Sequence, residues 1–419
     1  MTGASDQADI ASTATARTAP GTTRHWLAGF ALVAATAVVA GVLALLTPHL
    51  PHALPGYDGW LAGAYRNAGS FLRWFAGDTT EAEFFKSAIG GLAMIAGGWA
   101  AHAGYRRGAR WAGFPISYGT GLWPWVLASA ALGLLISDIA WGWTLNSTAL
   151  WQPTFVPFVS VPPAVVLVYG PGWRVAGTGA VLGAALATPI SLAVVNFFCY
   201  PLGLPTVIGN VTGMWAGALI AFLICRHLPW MPPPQTGSTG DAGQEDVTAA
   251  DEQASAPPRQ GPVWVVRRVL ADFTEAQFYG NEIAGACLIG GTLLTYVLNP
   301  AVPAYGSGLL PAMLTAQVLT GTIAVLLYRR RWASAGWYPT FVPVVSVAPA
   351  AVLTFGPTVQ AVTVGAVLGA VVGPPVAAWV AKRLPDDFHP FIGNVVSMTV
   401  CTLIIIPLLG ILPGFTPVS

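Results

Sequence analysis

The feature of this sequence that most constrains its fold is an internal duplication. Residues 151–171 read WQPTFVPFVSVPPAVVLVYGP and residues 337–357 read WYPTFVPVVSVAPAAVLTFGP, with 15 of the 21 aligned positions identical. Shorter matches occur in the same order along the chain: DTTEAEF with DFTEAQF, GAVLGA with a second GAVLGA, and IGNVTGM with IGNVVSM. Because such self-similarity is the signature of a repeated structural unit, the sequence predicts two related halves, at residues 70–227 and 263–419.

Both halves have the composition of a membrane-embedded protein. The chain of 419 residues is 54% hydrophobic and only 8% charged, whereas a soluble domain is about 25% charged. Each half contains five apolar segments near the roughly 20 residues that a spanning helix needs, and an extra apolar segment covers residues 25–48. We therefore expect an all-α integral membrane protein with about 11 crossings. The net charge of +1 gives no support for a nucleic-acid partner.

The basic residues alternate between matching loops of the two halves. In the first half they follow the first, third and fifth apolar segments, and in the second half they precede the first and follow the second and fourth. Since Lys and Arg concentrate in cytoplasmic loops, this pattern predicts two inverted five-helix repeats (5+5). The alternative makes the short third segment of each half re-entrant, which would give parallel repeats and place Arg226 and Arg329 outside.

The polar segments complete the predicted organisation. Residues 1–24 are small and polar and are expected to be a disordered cytoplasmic N-terminus, followed by the extra transmembrane helix at 25–48. Residues 228–262 are polar and proline-rich, and they are expected to form a flexible cytoplasmic linker. The expected location is the cell (plasma) membrane, with multiple crossings and the C-terminus outside.

The duplicated P-T-F-V-P motif predicts a proline-broken third span in each half. Proline removes a backbone donor and frees a carbonyl in a helix, and freed carbonyls are tolerated only where they line a cavity or pack within protein. Transporters with inverted repeats place such discontinuous helices around the substrate. The side chains predicted to bind substrate here are Thr154, Phe155, Ser160, Thr340, Phe341 and Ser346. The alternative is a kinked packing helix whose hydroxyls bond their own backbone.

Two further groups of polar residues are candidates for function. Asn210 and Asn394 begin the fifth segments, where an amide either meets a polar solute or links two helices. Asp138 and Glu282 are carboxylates in or near apolar segments, which makes them candidates for ion coupling. The duplicated D-x-T-E motif has the spacing of a helix capping box, and we interpret it as two such caps.

These features predict a transporter or facilitator that moves a small neutral or weakly polar solute through a site between the inverted repeats. A weak resemblance to urea channels, limited to paired Phe, Pro and Thr in repeated half-helices, implies a passive pore as the alternative. A membrane enzyme acting on a lipid-soluble substrate and a non-transporting scaffold are the other classes. The sequence has no phosphate-binding GxxxxGK[ST] and no HExxH motif, so we expect no enzyme, cofactor or metal. The expected partners are the solute and the lipid bilayer, and the sequence is compatible with a homo-oligomer.

Overall fold

A computed structural model describes residues 20–235 and 260–418 of the protein. These residues form helices joined by turns and loops, and they contain no strand. Most of the predicted disordered N-terminus and most of the predicted linker lie outside the described residues.

Seven helices of the described chain are long and apolar enough to cross a membrane, which is consistent with an α-helical membrane protein. They are Thr23–His49, Trp123–Trp141, Trp173–Cys199, Val207–Cys225, Leu310–Ala335, Val359–Ala381 and Phe391–Ile411. Shorter apolar helices lie at Val156–Tyr169, Glu282–Leu298 and Val342–Phe355. The seven long helices and these three shorter ones make ten, so the predicted total of about 11 crossings also depends on the helix Ala88–Arg106.

The N-terminal part of the described chain holds ten α-helices. They are α1 (Pro20–Leu46), α2 (Tyr57–Gly63), α3 (Ala68–Asp78), α4 (Ala88–Arg106), α5 (Trp123–Trp141), α6 (Trp143–Thr148), α7 (Val161–Tyr169), α8 (Trp173–Leu182), α9 (Thr188–Val194) and α10 (Val207–Cys225). Two π-helical turns, Gly183–Ala187 and Val195–Cys199, continue α8 and α9, so that Trp173–Cys199 forms one long helix.

The C-terminal part holds six α-helices in a similar order. They are α11 (Pro262–Asp272), α12 (Glu282–Leu298), α13 (Leu310–Ala335), α14 (Val347–Phe355), α15 (Val359–Ala381) and α16 (Phe391–Ile411). Helix α1 has no equivalent in this part and packs against α11 and α13.

Helices α4 and α12 form an extensive packing contact between the two parts of the chain. Glycines permit this close approach. A Cβ atom added to Gly291 would lie 2.8 Å from the Ile89 carbonyl oxygen, and one added to Gly97 would lie 3.1 Å from the Ala284 Cα. The two backbones therefore touch where these glycines lie.

The third apolar segment of each half is broken at a serine. A 3₁₀ turn at Val156–Val159 ends at Ser160 (φ −141°, ψ −111°) before α7 begins, and a turn at Val342–Val345 ends at Ser346 (φ −144°, ψ −93°) before α14. The prolines that follow each serine occupy the first helical turn, where no N–H is needed. The break therefore precedes these prolines and does not result from carbonyls that they free.

The prediction that D-x-T-E forms a capping box was wrong. Asp78 and Asp272 are the last residues of α3 and α11, and neither caps the start of a helix. Each helix leads into a tight turn in which Phe84 (φ 65°) and Phe278 (φ 62°) adopt the left-handed conformation. Such strained backbone is typical of functional sites.

Candidate functional site

The described residues contain a cavity that residues from both halves line. Its unfilled space is about 640 Å³, part of it open to the surroundings. Of its 21 lining residues, 20 form ten pairs at matching positions of the duplicated sequence, and Thr206 is the exception. The duplicated segments of the two halves therefore line the same cavity.

The tight turns after α3 and α11 form one pair of walls. The matched lining residues of these turns are Glu81, Ala82 and Phe84 with Glu275, Ala276 and Phe278. Within each turn the left-handed phenylalanine is held by its own backbone, because the Phe84 amide donates to the Glu81 carbonyl (2.9 Å) and the Phe278 amide donates to the Glu275 carbonyl (3.0 Å).

The broken third segments form a second pair of walls. Phe155 and Val159 line the cavity from the first half, and Phe341 and Val345 line it from the second. Phe155 and Phe341, which the sequence predicts to contact substrate, thus both line the cavity.

The serines and threonines of the same motif point elsewhere. The Ser160 hydroxyl donates to the Val156 carbonyl (2.6 Å), as the packing-helix alternative expects, and the matching Ser346 hydroxyl bonds Val342 in the same way (2.7 Å). The cavity that separates the two segments is therefore not lined by either serine.

Thr154 and Thr340 are buried behind the walls and do not line the cavity. The Thr154 hydroxyl donates to Asp78 and the Thr340 hydroxyl donates to Asp272, each over 3.1 Å. These threonines therefore tie the third segments to the D-x-T-E turns.

Helices α10 and α16 contribute the polar side chains that sequence reasoning singled out. Asn210 and Asn394 line the cavity, and one turn further along each helix lie Met214 and Met398. In the described structure, the side-chain carbonyl oxygens of both asparagines are buried and have no hydrogen-bond partner. A buried acceptor without a donor costs about 1–3 kcal/mol, so both helices carry this cost beside the cavity.

Each cavity glutamate is held by a tryptophan of its own half. The Trp151 indole donates to Glu81 over 2.7 Å, and the Trp337 indole donates to Glu275 over the same distance. The two tryptophans begin the duplicated third segment.

A tyrosine from the opposite half completes each cluster. Tyr305 interacts with Glu81 and packs edge-on against Trp151, while Tyr118 interacts with Glu275 and packs edge-on against Trp337. Two matching Glu–Trp–Tyr clusters, which we call the closures, thus lie at the cavity.

Each closure has a buried cation that pairs with its glutamate. The two cations stand at positions that do not match each other in the duplicated sequence. Lys86, after the first turn, pairs with Asp78 and with Glu81 (2.8 Å). Arg268, before the second turn, pairs with Asp272 (2.7 Å) and Glu275 (2.5 Å).

Aromatic faces cover both cations. Lys86 lies 3.5 Å above the Trp74 ring and Arg268 lies 4.8 Å from the Trp332 ring centre. Since unpaired buried charges are costly, these pairs fix both turns.

The two candidate coupling residues lie outside the cavity lining. Asp138 on α5 is buried beside Thr154 and Tyr65 and interacts electrostatically with Lys86, so it joins the first-half cluster. Glu282 begins α12 and accepts hydrogen bonds from the Phe114 amide (2.7 Å) and Arg267 (2.6 Å). It ties two polypeptide segments together, and it is not among the residues that line the cavity.

Sequence reasoning missed the closures for identifiable reasons. The tyrosines lie in a further match, SYGTGL with AYGSGL, that would have paired Tyr118 with Tyr305. The methionines belong to the IGNVxxM match already noted. The glutamates were assigned to a local cap because the spacing of the motif fits both roles.

The described residues form an all-helical structure that is consistent with a membrane protein. They surround a cavity whose lining residues are paired between the two halves. The described residues contain no group of His, Cys, Asp and Glu arranged to hold a metal ion. No protein-family model matches the chain, and no curated protein matches it.

Proposed function

We propose that the protein is a transporter or facilitator that moves a small neutral or weakly polar solute through the cavity between two inverted halves. The observation that carries the proposal is the pairing of the cavity lining, because 20 of 21 residues come from matching positions. Symmetric sites between inverted repeats are typical of alternating-access transporters and of some channels.

The inversion is supported by the loop charges and is consistent with the closures. In a 5+5 arrangement, matching loops lie on opposite membrane faces. Trp151 would then enter its third segment from outside and Trp337 from the cytoplasm. The two closures would flank the cavity on opposite sides, as two gates of a solute pathway require.

The neutral character of the solute follows from the pairing of the lining carboxylates. One matched pair of lining residues is ionisable, since Glu81 and Glu275 both line the cavity. Each is already paired with a buried cation, Lys86 or Arg268. The remaining lining residues are mainly apolar, apart from the asparagines, the tyrosines and Thr206.

The test is solute flux in proteoliposomes of the purified full chain. After a hyperosmotic shift with urea, acetamide or glycerol, light scattering should report re-swelling faster than in protein-free liposomes for at least one solute. Ala82→Trp and Ala276→Trp fill the cavity and should return the rate to the protein-free value. Ala333→Trp, at an exposed position outside the cavity, is the matched control. Equal rates with and without protein for every solute would refute the proposal.

A passive, urea-channel-like pore and a coupled transporter are distinguished by a pH gradient. Passive flux is insensitive to the gradient. Coupled transport accumulates solute against its concentration, and Asp138→Asn or Glu282→Gln should abolish that accumulation.

A membrane enzyme is favoured by one observation, the buried carboxylates of Asp78, Glu81 and Asp138 in one cluster. Thr154 and Trp151 donate to Asp78 and Glu81, and both carboxylates pair with Lys86, which is unlike a free catalytic acid or base. Asp138 differs, since neither of its carboxylate oxygens has a hydrogen-bond partner among the described residues. Incubation of membrane lipids with the protein, followed by mass spectrometry, distinguishes an enzyme from a transporter. An enzyme changes the lipid masses, and a transporter leaves them unchanged.

A further inference from the structure

We propose that Asp138 is a proton-binding site, and that loss of its proton loosens the first-half closure and so couples solute movement to proton movement. This inference rests on the proposed transport function and names the ion that drives it. The burial of Asp138, its missing hydrogen bonds and the side chains around it carry the inference.

Asp138 is a buried carboxyl group that no hydrogen bond satisfies. It lies on α5 with 0% of its surface exposed, and neither of its carboxyl oxygens has a hydrogen-bond partner among the described residues. An ionised carboxylate in such a place costs far more free energy than a protonated one. The protonated acid is therefore the favoured resting form.

The cation beside Asp138 is already engaged by other carboxylates. Lys86 pairs with Asp78 and, over 2.8 Å, with Glu81. Asp138 interacts with Lys86 electrostatically but forms no ion pair with it in the described structure. A proton on Asp138 thus neutralises the one carboxylate of the cluster that the lysine does not pair.

Tyr65 is the second polar neighbour of Asp138. Its ring packs against α5 at Gly142, one turn after Asp138, so closely that a Cβ atom there would collide with it. The Tyr65 hydroxyl interacts with Asp138, and its oxygen is buried without a hydrogen-bond partner among the described residues. Because the side chain is only half-buried and a phenol can both donate and accept a hydrogen bond, Tyr65 offers a route for the proton toward the surface.

The remaining titratable groups around α5 lie further away. On the elements that contact α5 they are Tyr118, Arg73 on α3, Tyr169 on α7 and Arg174 on α8. Arg73 is exposed, and the other three lie toward the start of α5, where Trp173 packs against Trp125. Asp138 lies about 20 Å beyond Trp125 along the helix, so its immediate charged neighbours are Lys86 and the carboxylates that Lys86 pairs.

The proton acts on the closure through Lys86. With Asp138 protonated, Lys86 pairs with Glu81, and Glu81 accepts the hydrogen bond of the Trp151 indole. When the proton leaves the Asp138 carboxyl group for water, the resulting carboxylate competes with Glu81 for the same lysine, because charges inside a protein are poorly screened. The Glu81 pair weakens, and the first-half closure loosens.

The second half has an apolar residue where the first has Asp138. Aligning the starts of α5 and α13 places Asp138 opposite Val325, which is also buried. The duplicated arrangement therefore carries this proton site in one half only, which corresponds to one proton per transport cycle.

The first measurement detects the proton without any transport. An infrared spectrum of the purified full chain at neutral pH should contain the C=O stretch of a protonated carboxyl group, and Asp138→Asn should remove that contribution. Asp58→Asn replaces an exposed carboxylate and is the matched control, which should leave the spectrum unchanged in this region. A spectrum that Asp138→Asn also leaves unchanged would overturn the inference.

The second measurement detects the coupling. Proteoliposomes are loaded with labelled urea, acetamide or glycerol at equal concentrations inside and outside, and a pH difference of about one unit is imposed. Because one pH unit corresponds to about a tenfold ratio, coupling to one proton should produce about tenfold accumulation. Symport accumulates the solute on the alkaline side, and antiport accumulates it on the acidic side.

Variants assign the coupling to Asp138. Asp138→Asn should leave the solute at equal concentrations, while Asp138→Glu, which keeps a carboxyl group, and the control Asp58→Asn should retain the accumulation. Glu282→Gln should retain it too, since Glu282 is already bonded to Arg267 and to the Phe114 amide. Size-exclusion profiles and melting temperatures confirm that the variants fold.

The outcomes separate this inference from the function on which it rests. Native flux that ends at equal concentrations despite the pH gradient, or accumulation retained in Asp138→Asn, would overturn the coupling while transport stands. Flux of no solute above protein-free liposomes would overturn the transport function and the coupling together, and the infrared spectrum then decides by itself whether Asp138 binds the proton.

Discussion

Glu83 and Gln277 occupy matching positions of the duplicated D-x-T-E segment and are hydrogen-bonded directly to each other. The Gln277 amide nitrogen lies 2.9 and 2.8 Å from the two carboxylate oxygens of Glu83, and both side chains are buried. Two copies of one position can meet in this way only where the two segments face each other. The contact therefore marks the centre of the paired arrangement, beside the cavity.

This contact predicts that the amide is essential for stability. Gln277→Leu keeps the bulk but leaves the buried Glu83 carboxylate without its donor, which costs about 1–3 kcal/mol or more. Unfolding of the detergent-purified variant, followed by a thermal shift, should show a clear loss. Glu83→Gln removes the charge and can keep an amide pair, so it should lose less. A Gln277→Leu variant as stable as the native chain would contradict this assignment.

The close packing of α4 against α12 predicts that alanine substitutions at two neighbouring glycines have very different effects on stability. Gly291→Ala places a methyl group 2.8 Å from a backbone oxygen, and overpacking of this kind costs about 1–3 kcal/mol. At Gly290 an added Cβ meets nothing within 4 Å, so Gly290→Ala is the matched control and should be neutral or stabilising. Equal melting temperatures for the two variants would show that α4 and α12 pack less closely than described.

The buried cations predict a strong dependence on Lys86. Lys86→Met leaves Asp78 and Glu81 buried without their cation, and breaking a buried pair in this way costs about 3–5 kcal/mol. Chemical unfolding in detergent measures the loss. Adding Asp78→Asn to Lys86→Met should recover part of it, because one uncompensated charge disappears. A single Lys86→Met variant with native stability would show that these carboxylates are not held by the lysine.

An ion pair at the end of α10 predicts a stability effect that depends on pH. Arg226 donates to both carboxylate oxygens of Asp387 over 2.6 Å, and this hydrogen bonding lowers the pKa of Asp387 below its ordinary value of 3.8. Because the folded-state pKa is the lower one, the pair stabilises the fold above the ordinary pKa and loses its effect as pH falls through the lowered one.

The measurement compares Asp387→Asn with the native chain by thermal unfolding. The variant should melt slightly lower near about pH 7, since exposed pairs contribute little, and the gap should close at acidic pH. A gap that widens as the pH falls would contradict the assignment.

Parts of the site could be predicted from sequence because duplication marks them. Phe155, Phe341, Asn210 and Asn394 stand in the longest matches, and all four line the cavity. Ser346 stands in the same match but does not line the cavity. Its hydroxyl donates to the nearby backbone carbonyl of Val342, as serine hydroxyls in such segments commonly do.

The cations could not be found by comparing the repeats. Lys86 follows its motif and Arg268 precedes its own, so neither has a charged residue at the matching position. Only the folded chain brings each cation to the same pair of carboxylates. The D-x-T-E motif misled for a related reason, because local spacing cannot distinguish a helix cap from a tertiary ion pair.

The central claim is that the two matched halves cross the membrane in opposite directions around one solute cavity. Ser147 and Ala333 stand at matching positions just before the duplicated third segments, and both are exposed. Each is replaced by cysteine in a chain without its four native cysteines, and intact cells are treated with a membrane-impermeant thiol reagent. The account predicts labelling of Ser147→Cys in intact cells, and of Ala333→Cys only after the membrane is opened. Labelling of both positions from the same side would contradict it.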